Sequence, residues 1–215
     1  KAISDALRMV LLINIPASVG LMVLSRPIIA LIYQHGRFKA SDTIETSNAL
    51  IFYSIGLFAY SAIKVLVPAF YALGRSHVPV IISAVTVAFN IACNLALIGP
   101  LGFRGLALGT SIASILNLVL LLCWIRKDSV PLDYPANLKV MIKILMASGL
   151  MGLACLASYS WMESITASVG TWNLCLSLAV SIGLGLVTLF VTSKALQIRE
   201  LDSAIQLVMK KLRPR

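Results

Sequence analysis

The residues able to do chemistry are polar side chains set deep inside apolar runs. Lys64 stands in SAIKVLVPAFYALGR, with Ser54, Ser61, Pro68 and Tyr71 at helical spacing. An ammonium in hydrocarbon costs roughly 3 kcal/mol unless it is hydrated or paired. Two readings are open for it: a charge facing a wet cavity, or a side chain that snorkels to the nearer interface. Arg26, in SRP near the end of the first apolar block, has the same two readings.

Amides and hydroxyls recur in the stretch Pro79 to Trp124, which reads as two long helices joined by the turn IGPLGFRG. On the first, Ser83, Thr86, Asn90 and Asn94 share one face. On the second, Thr110, Ser114 and Asn117 do the same, about a quarter-turn from a small-residue ridge of Gly105, Gly109 and Ala113. Unpaired amides in hydrocarbon are costly, so these faces must meet each other, another helix or a wet cavity. Lys64, Ser61, Asn90, Asn117 and Arg26 are the candidate lining of such a cavity.

Reaction chemistry has no visible centre. The sequence has no Walker loop, HExxH, GxSxG or acid-rich metal box. All eight acids lie in loops or at the ends of apolar blocks, so neither a Mg²⁺-dependent membrane enzyme nor a carboxylate-based proton carrier is expected. His35 and His77 fall in different loops, on opposite sides of the membrane under the topology below. The four cysteines sit in apolar blocks as small packing residues. The chain offers polar and cationic groups for an anionic ligand, and it is not expected to be an enzyme.

The elements that must position these groups follow from composition. The chain is 59% hydrophobic and 12% charged, against about 25% charge in a soluble domain. Six blocks are long enough to cross a ~30 Å hydrocarbon core as helices: Met9–Tyr33, Ser47–Ala72, Pro79–Ile98, Gly105–Ile125, Val140–Trp161 and Trp172–Ser193. The expected fold is an all-α polytopic membrane protein with six transmembrane helices. Pro16 is expected to kink the first, and Ser41 with Asp42 to cap a helix ahead of the second. Four units are expected: residues 1–127, part of a transport lobe; a loop over 128–139; a helix pair over 140–193; and a basic amphipathic tail over 194–215.

With the amino end cytoplasmic, thirteen of the 18 basic residues lie inside, and only Arg37, Lys39 and Arg104 lie outside. That bias favours a cytoplasmic location for both ends. A first residue of Lys with no leader ahead of it predicts a piece of a longer protein.

Three stretches then carry a resemblance: IPASVGLMVLSRPIIALIYQHGRF, GLFAYSAIKVLVPAFYALGRSHVPV and NLALIGPLGFRGLALGTSIASILNLVLL. Together they resemble the MurJ (MviN) family of lipid II flippases, within the multidrug/oligosaccharidyl-lipid/polysaccharide exporter (MOP) superfamily. The resemblance implies the last six of fourteen transmembrane helices, in the bacterial cytoplasmic (inner) membrane. It implies transport of undecaprenyl-linked peptidoglycan precursor (lipid II) from inner to outer leaflet by alternating access, with the missing amino-terminal part of the protein as partner. The last helix pair would form an apolar groove for the polyprenyl tail. No organic cofactor is implied. Some relatives bind Na⁺, and Asn90, Asn94 and Thr110, with a backbone carbonyl near Leu106, fall on the matching positions. Where a carboxylate is expected this chain has Asn94, a weaker ligand for a hard cation. Two other readings stand beside this one: an exporter of another polyprenyl-linked saccharide or small amphipathic solute, and a non-transporting scaffold whose polar faces only glue helices.

Overall fold

Apolar blocks of this length satisfy their backbone polar groups internally only as helices. The computed structural model describes residues 2–127, 134–165 and 171–198. It contains α1 (Ala2–Val23), α2 (Ser25–Tyr33), α3 (Ala40–Ala72), α4 (His77–Leu101), α5 (Phe103–Lys127), α6 (Tyr134–Ile165) and α7 (Thr171–Ala195). All but α2 are long and apolar enough to cross a membrane, which makes six candidate spans. The proposed tail beyond residue 198 and the linker over 128–133 lie outside the described residues.

The helices pack as a row in the order α4, α5, α3, α1, α6, α7, with α2 bridging α3 and α7. Helix α1 therefore joins two sets: α3, α5 and α4 on one side, and the α6–α7 pair on the other. One core lies among α1, α3, α4 and α5, where Leu66, Phe70, Leu121 and Ile125 are fully buried. A second joins Leu12 and Ile15 of α1 to Ile144 of α6 and to Ile198 beyond α7. A third joins Leu24 to Met151 and Cys155 of α6 and Leu178 of α7.

Four boundaries differ from the sequence reading. The first block is two helices, broken at Leu24 and not at Pro16, through which α1 runs without a break. Pro27 is the cause that fits: its ring would clash with the Val23 carbonyl in a continuous helix, but it is tolerated in the first turn of α2. Helix α3 begins seven residues before its apolar block. Its start is held by Asp42 Oδ2, which accepts the Lys39 N–H at 2.9 Å, while Ser41 lies within the first turn and not at the cap. Helix α6 begins at Tyr134, inside the segment read as a loop, because Pro135 falls in its first turn. The turn between α4 and α5 narrows to Gly102, whose φ of 57° and ψ of −142° suit only glycine.

Small residues set the close crossings, as expected where lipid supplies no hydrophobic drive between helices. A Cβ on Gly56 of α3 would lie 2.7 Å from Ser111 of α5, and one on Gly105 would lie 2.5 Å from the Leu97 carbonyl oxygen of α4. Gly105 and Gly109 of the ridge thus meet α4, while Ser111, on another face of α5, meets α3.

Candidate functional site

Helices α4 and α5 bring most of the predicted amides to one seam. Asn117 Nδ2 donates to Thr86 Oγ1 at 3.0 Å, and Thr86 Oγ1 donates to the Ser83 carbonyl at 3.0 Å. Asn94 Nδ2 donates to Asn90 Oδ1 at 2.7 Å, one turn earlier on the same helix. Thr110 Oγ1 donates to the Leu106 carbonyl at 2.8 Å, and Ser114 to the Thr110 carbonyl. Much of the polarity is therefore satisfied inside the bundle, with Asn117 serving as a cross-helix bond. Such a bond contributes about 0.6 kcal/mol on average in a membrane.

One atom of this seam stands out. Asn94 Oδ1 is buried with no hydrogen-bond partner. It occupies the space that a Cβ on Gly109 would need, beside Thr110. An unsatisfied buried carbonyl costs about 1–3 kcal/mol, and a cation is a way to recover it. The Na⁺ that the family resemblance implies fits this donor set in part. Asn90, Asn94, Thr110 and Leu106 present neutral oxygens, which suit a singly charged hard cation better than a divalent one.

Lys64 lies elsewhere. It is on an exposed face of α3 with Tyr53, Tyr60 and Tyr71, each about half exposed (51%, 53% and 53%). Its ammonium sits 4.5 Å from the Tyr60 ring centroid. Ser54, expected on this stripe, is instead 2% exposed and donates to the Leu50 carbonyl. Ser61, three residues before Lys64, donates to Asn14 Oδ1 of α1 at 2.8 Å, while Asn14 Nδ2 returns to the Val10 carbonyl. This α1–α3 bridge was not anticipated, although Asn14 is the single amide in the first apolar block.

Arg26 is exposed at the start of α2 and does not join Lys64. Asn14 is level with Ser61, and Arg26 is twelve residues further on, about 18 Å along the helix. Arg26 and Glu163 instead lie within electrostatic reach of Tyr159 on α6. A second unanticipated pair stands toward the same end. Arg104, at the start of α5, clasps Glu45 of α3 through both of its nitrogens Nε and Nη2, the former at 2.8 Å.

A groove runs between α1–α2 and the α6–α7 pair. It encloses about 640 Å³, and its walls are almost wholly apolar. Pro16, Ala17, Gly20 and Leu24 form one wall, and Met151, Cys155, Gly185 and Leu189 the other. It follows α1 and α2 from Leu12 to Ile28, about 24 Å of helix. Small residues make the space: Gly20 and Ala17 leave it open, and Gly185 lets α7 close on the Cys155 sulfur.

Fold and groove define a polytopic helical membrane protein with an apolar groove beside a polar-seamed bundle. Residues 1–183 match the family profile described as lipid II flippase MurJ. A probable lipid II flippase MurJ of Rickettsia prowazekii is 37% identical over 154 residues, covering 71% of this chain and 30% of the relative. Its counterpart in Vibrio cholerae is 31% identical over 185 residues, covering 85% and 34%. A solved lipid II flippase MurJ in an inward closed conformation superposes with a TM-score of 0.70 at 27% identity, over 90% of this chain and 39% of that one. The chain belongs to the MurJ family, and it spans about a third of the length of the curated relatives it matches.

Proposed function

We propose that this chain forms part of a lipid II flippase of the bacterial cytoplasmic membrane. The full protein moves undecaprenyl-diphosphate-linked peptidoglycan precursor from the inner to the outer leaflet by alternating access, for cell wall synthesis. Both ends of the chain face the cytoplasm, in line with the bias of basic residues. The protein is a transporter and carries out no bond chemistry.

The observation that carries this reading is the length of the groove. A phospholipid chain reaches only about 15 Å, half of the ~30 Å hydrocarbon core. The groove follows its first wall for about 24 Å, so a single chain filling it must be longer, as a polyprenyl chain is. Lys64 and its tyrosine stripe are exposed and do not line the groove, and they add positive potential to a cavity shared with the rest of the protein. Asn90, Asn94 and Thr110 would hold Na⁺, whose charge would tie α4 to α5.

The satisfied seam at Asn117 and Thr86 supports helix gluing for those two residues, and the groove has no use in a scaffold. The test is leaflet exposure of lipid II in cells depleted of their own flippase. Ala17→Trp, which fills the groove, and Lys64→Ala in the full-length protein should each lower exposure about tenfold. Wild-type exposure with both variants would overturn the reading.

A further inference from the structure

The groove has two unlike ends. At one end lies Ser193 of α7, which is 0% exposed, lines the groove, and has a hydroxyl with no hydrogen-bond partner. Ser181, Thr188 and Thr192 of this helix bond back one turn, to the carbonyls of Ser177, Leu184 and Thr188. Ser193 does not, so a buried donor is left at the groove's end, where its desolvation is uncompensated.

Cations gather at this same end. Lys143 of α6 donates from Nζ to the Leu196 carbonyl at 2.8 Å, one turn past Ser193. Lys194 is adjacent and exposed, with its ammonium 5.1 Å from the Phe190 ring centroid. Arg8 stands one turn before Leu12, which lines the groove, and donates to Asn137 Oδ1 at 2.6 Å. Among the described residues of α1, α6 and α7 at this end, Asp5 is the one acid. At the opposite end Arg26 and Glu163 both lie within electrostatic reach of Tyr159.

We infer that the Ser193 end of the groove is a phosphate subsite, and that a polyprenyl phosphate lies with its phosphate there and its chain extending toward Ile28. This rests on the reading of the groove as a polyprenyl channel, and it adds direction. The lipid enters the groove from the leaflet on the basic side, with Ser193 donating a hydrogen bond to a phosphate oxygen while Lys194 and Lys143 supply charge. Arg26 plays no part in holding the phosphate.

The test measures binding of undecaprenyl phosphate, undecaprenol and phosphatidylglycerol to the full-length protein in nanodiscs. Ser193→Ala and Lys194→Gln should each weaken undecaprenyl phosphate binding roughly tenfold and leave undecaprenol unchanged. Ala17→Trp should weaken both polyprenyl ligands. Unchanged undecaprenyl phosphate binding in both Ser193→Ala and Lys194→Gln overturns the subsite, as does a tenfold loss in Arg26→Gln. If Ala17→Trp affects neither polyprenyl ligand, or if phosphatidylglycerol displaces them at equal concentration, the groove reading itself falls.

Discussion

Asn94 shows how much one side chain can be asked to do. Its Nδ2 is bonded to Asn90 and its Oδ1 is left buried and bare against Gly109. Replacing Asn94 by Asp restores a full negative charge at that oxygen. We expect Asn94→Asp to enlarge the rise in melting temperature on exchanging K⁺ for Na⁺, measured on the full-length protein by thermal shift. A variant that responds equally to both ions would remove the cation from this site. The α1–α3 bridge gives a second expectation. Asn14→Ala leaves Ser61 without its acceptor across the helices, and a loss of about 1 kcal/mol in unfolding free energy is expected. Ser61→Ala should cost no more, because Asn14 keeps its own bond to Val10.

At the scale of elements, stop signals matter more than the apolar runs between them. Gly102 turns α4 into α5 in a single residue, and its N–H still reaches the Ile98 carbonyl at 3.0 Å. Gly102→Ala forces a Cβ into a conformation reserved for glycine and should destabilise the hairpin by about 1–3 kcal/mol, read as a lower midpoint in thermal unfolding. Helix α7 ends in the opposite way. Gln197 takes a left-handed φ of 52°, with the Ile198 N–H bonded to the Ser193 carbonyl at 3.1 Å and the Gln197 N–H to that of Lys194 at 3.0 Å. This is a Schellman cap with a side chain where glycine is preferred. It swings Ile198 down onto Leu12, Ile15 and Ile144. Gln197→Gly should stabilise the protein by about 1 kcal/mol, and the same unfolding measurement checks it.

The whole molecule is a row of helices hinged on α1, and long-range pairs fix its neighbours. Glu45 and Arg104 are 59 residues apart and tie the extended start of α3 to the start of α5. The two side chains are 44% and 32% exposed, so solvent screens them. Glu45→Gln is expected to lower stability by at most about 1 kcal/mol, and the loss should shrink at high salt. A loss independent of salt would show the pair acting through packing instead of charge. The groove also belongs to this scale, since α1, α2, α6 and α7 each supply part of its wall.

Six spans, the family and the small-residue ridge were legible in the chain itself. Each depends on local composition or on helical periodicity, and the membrane converts both directly into length and face. The partners of the polar groups were not legible. Asn117 could have faced water or Thr86, and Lys64 could have stood beside Arg26 or about 20 Å from it, with the same sequence pattern. Only the packing order placed Ser61 against Asn14, stacked Lys64 on Tyr60, and left Ser193 bare at the end of an apolar groove. Hydrogen bonds between helices are settled by which neighbours meet and at what height, and helical periodicity carries information about neither.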